Sequence, residues 1–214
     1  MNVKALAHLG EGAAGTVTLQ CTVRMCVFCG SSLGRNPAYT AAARDLGAEL
    51  VRRDIELIYG GGNVGLMGVI ADAVLQAGGR ATGVIPRAMV ERELAHGDLT
   101  TLHVVGSMHE RKALMAQLAD GFVALPGGFG TLEEFCEVVT WTQLGVHAKA
   151  CGLLNVDGYY DGLVAFLRHA LDEEFLRSTH FDIVVSATTA SEMIERVLHW
   201  QPPAVARWID SKAT

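Results

Sequence analysis

Long apolar runs are missing from this sequence. No stretch approaches the ~20 residues that cross a bilayer as a helix, which excludes a helical membrane span and leaves no membrane partner to expect. Positive charge is short as well: 17 Lys and Arg stand against 23 Asp and Glu, for a net charge of −6. Holding a phosphate backbone takes clustered cations, so no nucleic-acid partner is expected. Proline is scarce at 5 residues while glycine reaches 24. That balance excludes a Pro-rich disordered or fibrous chain and suits many tight turns between regular elements. The N-terminus carries Lys4 but no continuous apolar segment before a cleavage site. A signal peptide is therefore not expected, and a cytoplasmic location is.

Cysteine occurs five times, without a disulfide or metal pattern. Cys26 and Cys29 form C-x-x-C, but Met25 to Cys29 is apolar and β-prone, and side chains three apart on a strand point to opposite faces. The pair cannot share one ion, and no second cysteine pair or His-x-x-x-His accompanies it. No metal is expected, and reduced, buried thiols fit an intracellular chain.

What is present is a rhythm. Half of the 214 residues are hydrophobic, enough for one sizeable core and a single domain. Apolar runs predict strands at 25–29, 56–59, 81–85, 101–105, 122–125, 151–154 and 183–185. Between them lie segments of helical period, such as 39–53, with Leu46 and Leu50 four apart, and 67–76. Alternating β and α elements predict an α/β fold: a single-domain, Rossmann-like, doubly wound and mainly parallel sheet with helices on both faces. Residues 1–24 form an extension outside this domain, which occupies 25–214. Ligands of such a sheet bind beyond the carboxyl ends of the strands. The segments that fall there are 30–35, 60–65, 86–93, 106–109, 126–131 and 155–158.

Three of those segments carry chemistry. Leu125-Pro126-Gly127-Gly128-Phe129-Gly130-Thr131-Leu132-Glu133-Glu134 joins a strand to a helix. Its glycines allow close backbone approach, and the amides of the loop and first helical turn can surround an anion. A Thr131-x-x-Glu134 capping box would explain two of these residues but not three glycines in four positions. Gly60 to Gly65 matches G-x-G-x-x-G, yet the following strand ends in Ile85-Pro86-Arg87, without the acid that would hold a ribose. No dinucleotide is expected there, though backbone lining for a nucleotide or its sugar stays open. Ser107 and Glu110 read as a capping box opening a helix, which brings Arg111 and Lys112 to the same edge as the Gly127–Thr131 loop. Cations at a helix N-terminus oppose its dipole unless an anion is near. Glu93 lies on a further edge segment. His109 and His147 have no second metal-binding side chain at useful spacing.

Taken together, these residues resemble the LOG ("lonely guy") family of cytokinin riboside 5′-monophosphate phosphoribohydrolases. The signature PGGxGTxxE is matched by Pro126 to Glu134, and M-H-x-R-K by Met108 to Lys112. The likeness continues through Cys29–Ser32, Tyr59–Gly62, Gly65–Gly68, Gly83–Pro86, Thr140–Gly145 and Gly152–Tyr160. It spans Met25 to about His199. Phe129 replaces a frequent Tyr, and Ala150 a usual Pro. The resemblance implies a homodimeric hydrolase that splits N6-substituted adenosine 5′-monophosphates into free base and ribose 5-phosphate, with no cofactor. It implies Arg111 and Glu134 as catalytic residues, and Glu93, Lys112, Gly127, Gly128, Phe129, Gly130, Thr131, Leu132, Glu133 and Thr140 as substrate-binding ones. Relatives are often labelled lysine decarboxylases, but the chain is short for that chemistry and has no pyridoxal-phosphate lysine motif. A non-catalytic nucleotide-binding module, or a nucleosidase acting mainly on AMP or other ordinary nucleotides, remains open.

Overall fold

A computed structural model describes residues 22–92 and 94–203. The strands are β1 (Arg24–Phe28), β2 (Glu56–Tyr59), β3 (Ala81–Pro86), β4 (Thr101–Val105), β5 (Gly121–Ala124), β6 (Cys151–Leu154) and β7 (Val184–Ala187). The helices are α1 (Pro37–Arg52), α2 (Gly65–Gln76), α3 (Arg87–Val90), α4 (Met108–Leu118), α5 (Phe129–Gln143), α6 (Asp161–Asp172), α7 (Ser178–Phe181) and α8 (Ala190–Leu198), with a short 3₁₀ turn at Val156–Gly158. Every predicted strand is found, with ends shifted by no more than two residues. Most of the extension, and the segment after Pro203, lie outside the described residues. Arg24 already belongs to β1.

The strands form one parallel sheet in the order β4-β3-β2-β1-β5-β6-β7. The apolar runs of the inner strands have no polar alternation because both faces are covered; every residue of β3, β5 and β6 is buried, whereas the edge strand β4 is largely exposed. One face packs under α1, α2 and α8, through Leu46, Leu50, Ile70, Val74, Met193 and Ile194. The other packs under α4 and α5, through Met115, Ala116, Phe135 and Val138, with Leu163 and Val164 of α6 against it. Cys26 and Cys29 fall on opposite sides of the sheet, as strand geometry requires. No helix among the described residues is long and apolar enough to cross a membrane.

Local signals account for the helix starts. Asn36 caps α1 by accepting the Ala38 N–H at 3.0 Å, with Pro37 at the first helical position. Ser107 caps α4 through the Glu110 N–H at 3.1 Å, while the Glu110 carboxylate takes the Gly106 N–H at 2.7 Å. The return bond of the expected box thus lands one residue early.

The strand order reverses at β1. Its two neighbours, β2 and β5, lead in opposite directions, so the crevice past the ends of β1 and β5 is the topological switch point. Phe28 pairs with Ala124 across it, and the Gly30 N–H donates to Pro126 O at 3.0 Å. The chain leaving β5 is braced from behind by Tyr160, only 2% exposed, whose hydroxyl donates to Leu125 O at 2.7 Å. Tyr160→Phe leaves that buried carbonyl short of a donor and should cost about 1–3 kcal/mol. Urea unfolding should show a lower midpoint at unchanged slope; an unchanged midpoint would show that the hydroxyl does not hold the strand end.

Candidate active site

Helix α5 starts at Phe129 with Gly128 as its N-cap, and among the described residues no side chain caps its first amides. Those amides, together with the helix dipole, leave an open anion cradle at the end of the sheet. Thr131 and Glu134 are both buried inside the helix, so the capping-box reading fails. Gly127 is the tight point of the loop. A Cβ there would overlap the Thr131 side chain and come within 2.8 Å of Gly30 N. The Tyr159 hydroxyl donates to Gly127 O at 2.6 Å. The two tyrosines therefore hold the cradle by its carbonyls. In the sequence both fall only within the Gly152–Tyr160 stretch of the resemblance.

Arg111 is buried in the second turn of α4. Its Nη1 lies 3.1 Å from Glu134 Oε1, and its Nε donates to Val84 O at 3.1 Å. The room for this guanidinium comes from Gly60, where any Cβ would collide with it. That explains the first glycine of the second cluster without a ligand. Other groups of the same loop are also taken by protein: Asn63 N–H donates to Leu94 O, His96 N–H to Gly61 O, and Leu66 N–H to Gly30 O. The segment supports Arg111.

Burial pushes the Glu134 carboxyl above its ordinary range, and the Arg111 charge pulls it back part of the way. Burial, reinforced by Glu134, pushes the Cys29 thiol up far enough to keep it protonated. Cys26 is driven the same way. Neither thiol is a nucleophile at neutral pH. Glu134 is the carboxyl of this cluster whose proton affinity burial raises.

Lys112, one residue along α4, is nearly buried and reaches across to Glu133 and Glu137 of α5, the latter at 3.1 Å. Burial works against its ammonium, but these two carboxylates outweigh it and raise its pKa. Arg111 and Lys112 are thus both withdrawn from solvent and held by carboxylates of α5. Gly127 to Glu133 also gather here. Within that run, Phe129 stands 93% exposed and Leu132 packs on the α4/α5 side of the core. Thr140 is not brought in. It sits six residues beyond Glu134, ~9 Å along the helix axis, exposed, with its hydroxyl donating to Cys136 O. Glu93 lies outside the described residues.

Comparison with known proteins identifies the family. A family model described as "possible lysine decarboxylase" matches residues 67–197. The chain is 50% identical over 179 residues to a cytokinin riboside 5′-monophosphate phosphoribohydrolase of Arabidopsis thaliana, covering 84% of this chain and 83% of the relative. It is 52% identical over 180 residues to a probable cytokinin riboside 5′-monophosphate phosphoribohydrolase of Oryza sativa subsp. japonica, covering 84% and 73%. Among solved structures, the molybdenum cofactor binding protein of Rippkaea orientalis matches with a TM-score of 0.65 at 21% identity, over 84% of this chain and 97% of that one. The molybdenum cofactor carrier protein of Chlamydomonas reinhardtii matches at 0.62 and 19%, over 84% and 99%. At such identities the structures share the fold alone.

The raised Glu134 pKa has a consequence for stability. The folded state holds this proton more tightly than the unfolded chain, so the stabilisation is complete below the ordinary value of 4.5 and declines as pH rises through the raised one. Arg111 opposes the shift, so Arg111→Met should deepen the decline and carry it to higher pH. Thermal melts from about pH 4 to about pH 8 would show it. Parallel pH profiles for the two proteins would contradict the coupling.

Proposed function

Because this chain belongs to the LOG family, we propose that it hydrolyses the N-glycosidic bond of N6-substituted adenosine 5′-monophosphates, releasing the free base and ribose 5-phosphate. The observation that carries this reading is the buried Arg111–Glu134 pair beside the open N-terminus of α5. An anion cradle alone would suit a carrier. A desolvated carboxylate next to it, held by a guanidinium, suits chemistry on the part of the ligand nearest the anion.

The phosphate sits on the amides of Gly128 to Thr131, which fixes the ribose over Glu134. The bond between the anomeric carbon and the base nitrogen breaks, and its electron pair leaves with the base. Positive charge develops on the sugar, as in glycoside hydrolysis, and the Glu134 carboxylate stabilises it. Water then adds to the anomeric carbon and gives one proton to Glu134, which passes it to the departing base nitrogen, so the carboxylate is restored. A carboxyl whose pKa is raised toward neutrality is well matched to that exchange. Arg111 keeps Glu134 ionised against its burial and aims one oxygen. Lys112 supplies positive charge beside the phosphate once Glu133 yields to it.

The reading includes a cytoplasmic homodimer. Free thiols at Cys26, Cys29, Cys136 and Cys151 suit a reducing compartment. Exposed Phe129 and Met108 beside the site offer an apolar contact to a second copy.

Incubating the pure protein with AMP and with isopentenyladenosine monophosphate, and measuring free base and ribose 5-phosphate, tests the activity. Release is expected, faster from the substituted nucleotide. Glu134→Gln and Arg111→Ala should each lose about a hundredfold or more in kcat while still unfolding cooperatively. Near-normal turnover by either variant would remove that residue from the catalytic assignment. No release from either nucleotide would favour a binding module, and preference for AMP an ordinary nucleosidase.

A further inference from the structure

Residues 94–96, on the way from β3 to β4, run antiparallel to the turn that follows β2. The Asn63 N–H donates to Leu94 O at 3.0 Å and the His96 N–H to Gly61 O at 2.9 Å, with Ala95 paired to Gly62 between them. Two backbone bonds at the edge of a sheet open readily on their own. One side chain adds to them. Of residues 94–98, only His96 is buried. Its Nδ1 takes the Asp98 N–H at 3.2 Å, which leaves the ring proton on Nε2, 3.0 Å from Asp72 Oδ1 of α2. The imidazole ties the segment to α2, while the backbone ties it to the turn.

The turn held in this way is the one that backs Arg111. A Cβ on Gly60 would collide with the guanidinium, and the Met67 side chain lies against both Gly60 and Gly62. Gly61, at φ +74°, sits so close to β3 that a Cβ there would come within 3.2 Å of Ile85. Three of the four residues 60–63 are glycine. Such a turn has no side chains to anchor it and gains much chain entropy when it opens. Contact therefore runs from His96 through Gly61 and Gly60 to Arg111, and from there to Glu134.

We propose that His96 is a positioning residue for the hydrolysis: by latching residues 94–98 to α2, it keeps the Gly60–Asn63 turn closed on Arg111 and water away from the Arg111–Glu134 pair. The inference rests on the hydrolase reading above. His96 bonds to neither member of the pair and acts on them only through the turn.

The test measures kcat, KM and the pH dependence of kcat/KM in the wild type, His96→Ala and His96→Gln, using whichever of AMP and isopentenyladenosine monophosphate is cleaved faster. Hydrogen exchange across residues 60–66 and the urea midpoint are followed in the same proteins. His96→Ala should lower kcat by about tenfold or more by misplacing the pair, and leave KM, set by the anion cradle of α5, within about threefold. Exchange at Asn63 should quicken. The acid limb of the profile should move to lower pH, because burial is what lifts the Glu134 carboxyl and entering water undoes it. The charged groups around Glu134, namely Arg111, Lys112, Glu133 and Glu137, are the same in every variant, as is the ionisation of the substrate. His96→Gln, whose amide can still donate to Asp72, should recover most of kcat and the wild-type limb. Asp72→Ala removes the same bond from the exposed side and should move kcat and the limb in the same direction, which keeps the test decisive if His96→Ala does not fold. A lower urea midpoint with kcat and the limb unmoved would overturn the proposal, because His96 would then serve stability alone. Unchanged exchange at Asn63 in His96→Ala would overturn it independently of activity. A wild type that cleaves neither nucleotide would overturn the hydrolase reading, and the catalytic role of the latch with it.

Discussion

Everything distinctive about this structure converges on a guanidinium buried away from most of the solvent. Burying a charge costs several kcal/mol unless it is paired and hydrogen-bonded. Arg111 is given both: Glu134 on one nitrogen and the Val84 carbonyl on another. A pair of well-packed apolar side chains would stabilise the two helices at least as well. Charge kept in such a place at such a cost is more naturally explained by chemistry than by folding. The cost also spreads outward. Gly60 must lack a side chain, and the loop around it must find protein partners for its backbone groups.

The second constraint is that the anion cradle uses backbone rather than side-chain charge. An acidic protein can hold a phosphate in this way because amides at a helix start are donors without counter-charge. Their positions depend on how firmly the loop is held. Tyr159 and Tyr160 fasten it through two carbonyls, and β1 fastens it through Gly30. A sheet edge, a helix start and two hydroxyls thus divide between them what a cluster of lysines does elsewhere.

The strand pattern and the Gly127–Thr131 loop were legible in the sequence because each follows from local rules: apolar runs buried on two faces, and glycines between a strand and a helix. Ser107 announced the start of α4 in the same way. The pairing of Arg111 with Glu134 was not legible from spacing, since it depends on α4 and α5 lying side by side across 23 positions of chain. Only the resemblance joined them. Local rules also misled. Thr131 and Glu134 have the spacing of a cap but sit inside the helix, because the helix starts earlier, at Phe129. Gly60 to Gly65 carry a nucleotide-loop pattern, but Gly60 is spent on making room for an arginine. Tyr159 and Tyr160 act through carbonyls that no motif identifies.

The central claim is that the phosphate, held at the start of α5, places the scissile bond over the Arg111–Glu134 pair. The most direct measurement is kcat/KM for a nucleoside 5′-monophosphate against the same nucleoside without its phosphate. The account predicts that removing the phosphate lowers kcat/KM by about a hundredfold or more, with kcat falling as well as affinity. Equal turnover of the two would contradict it.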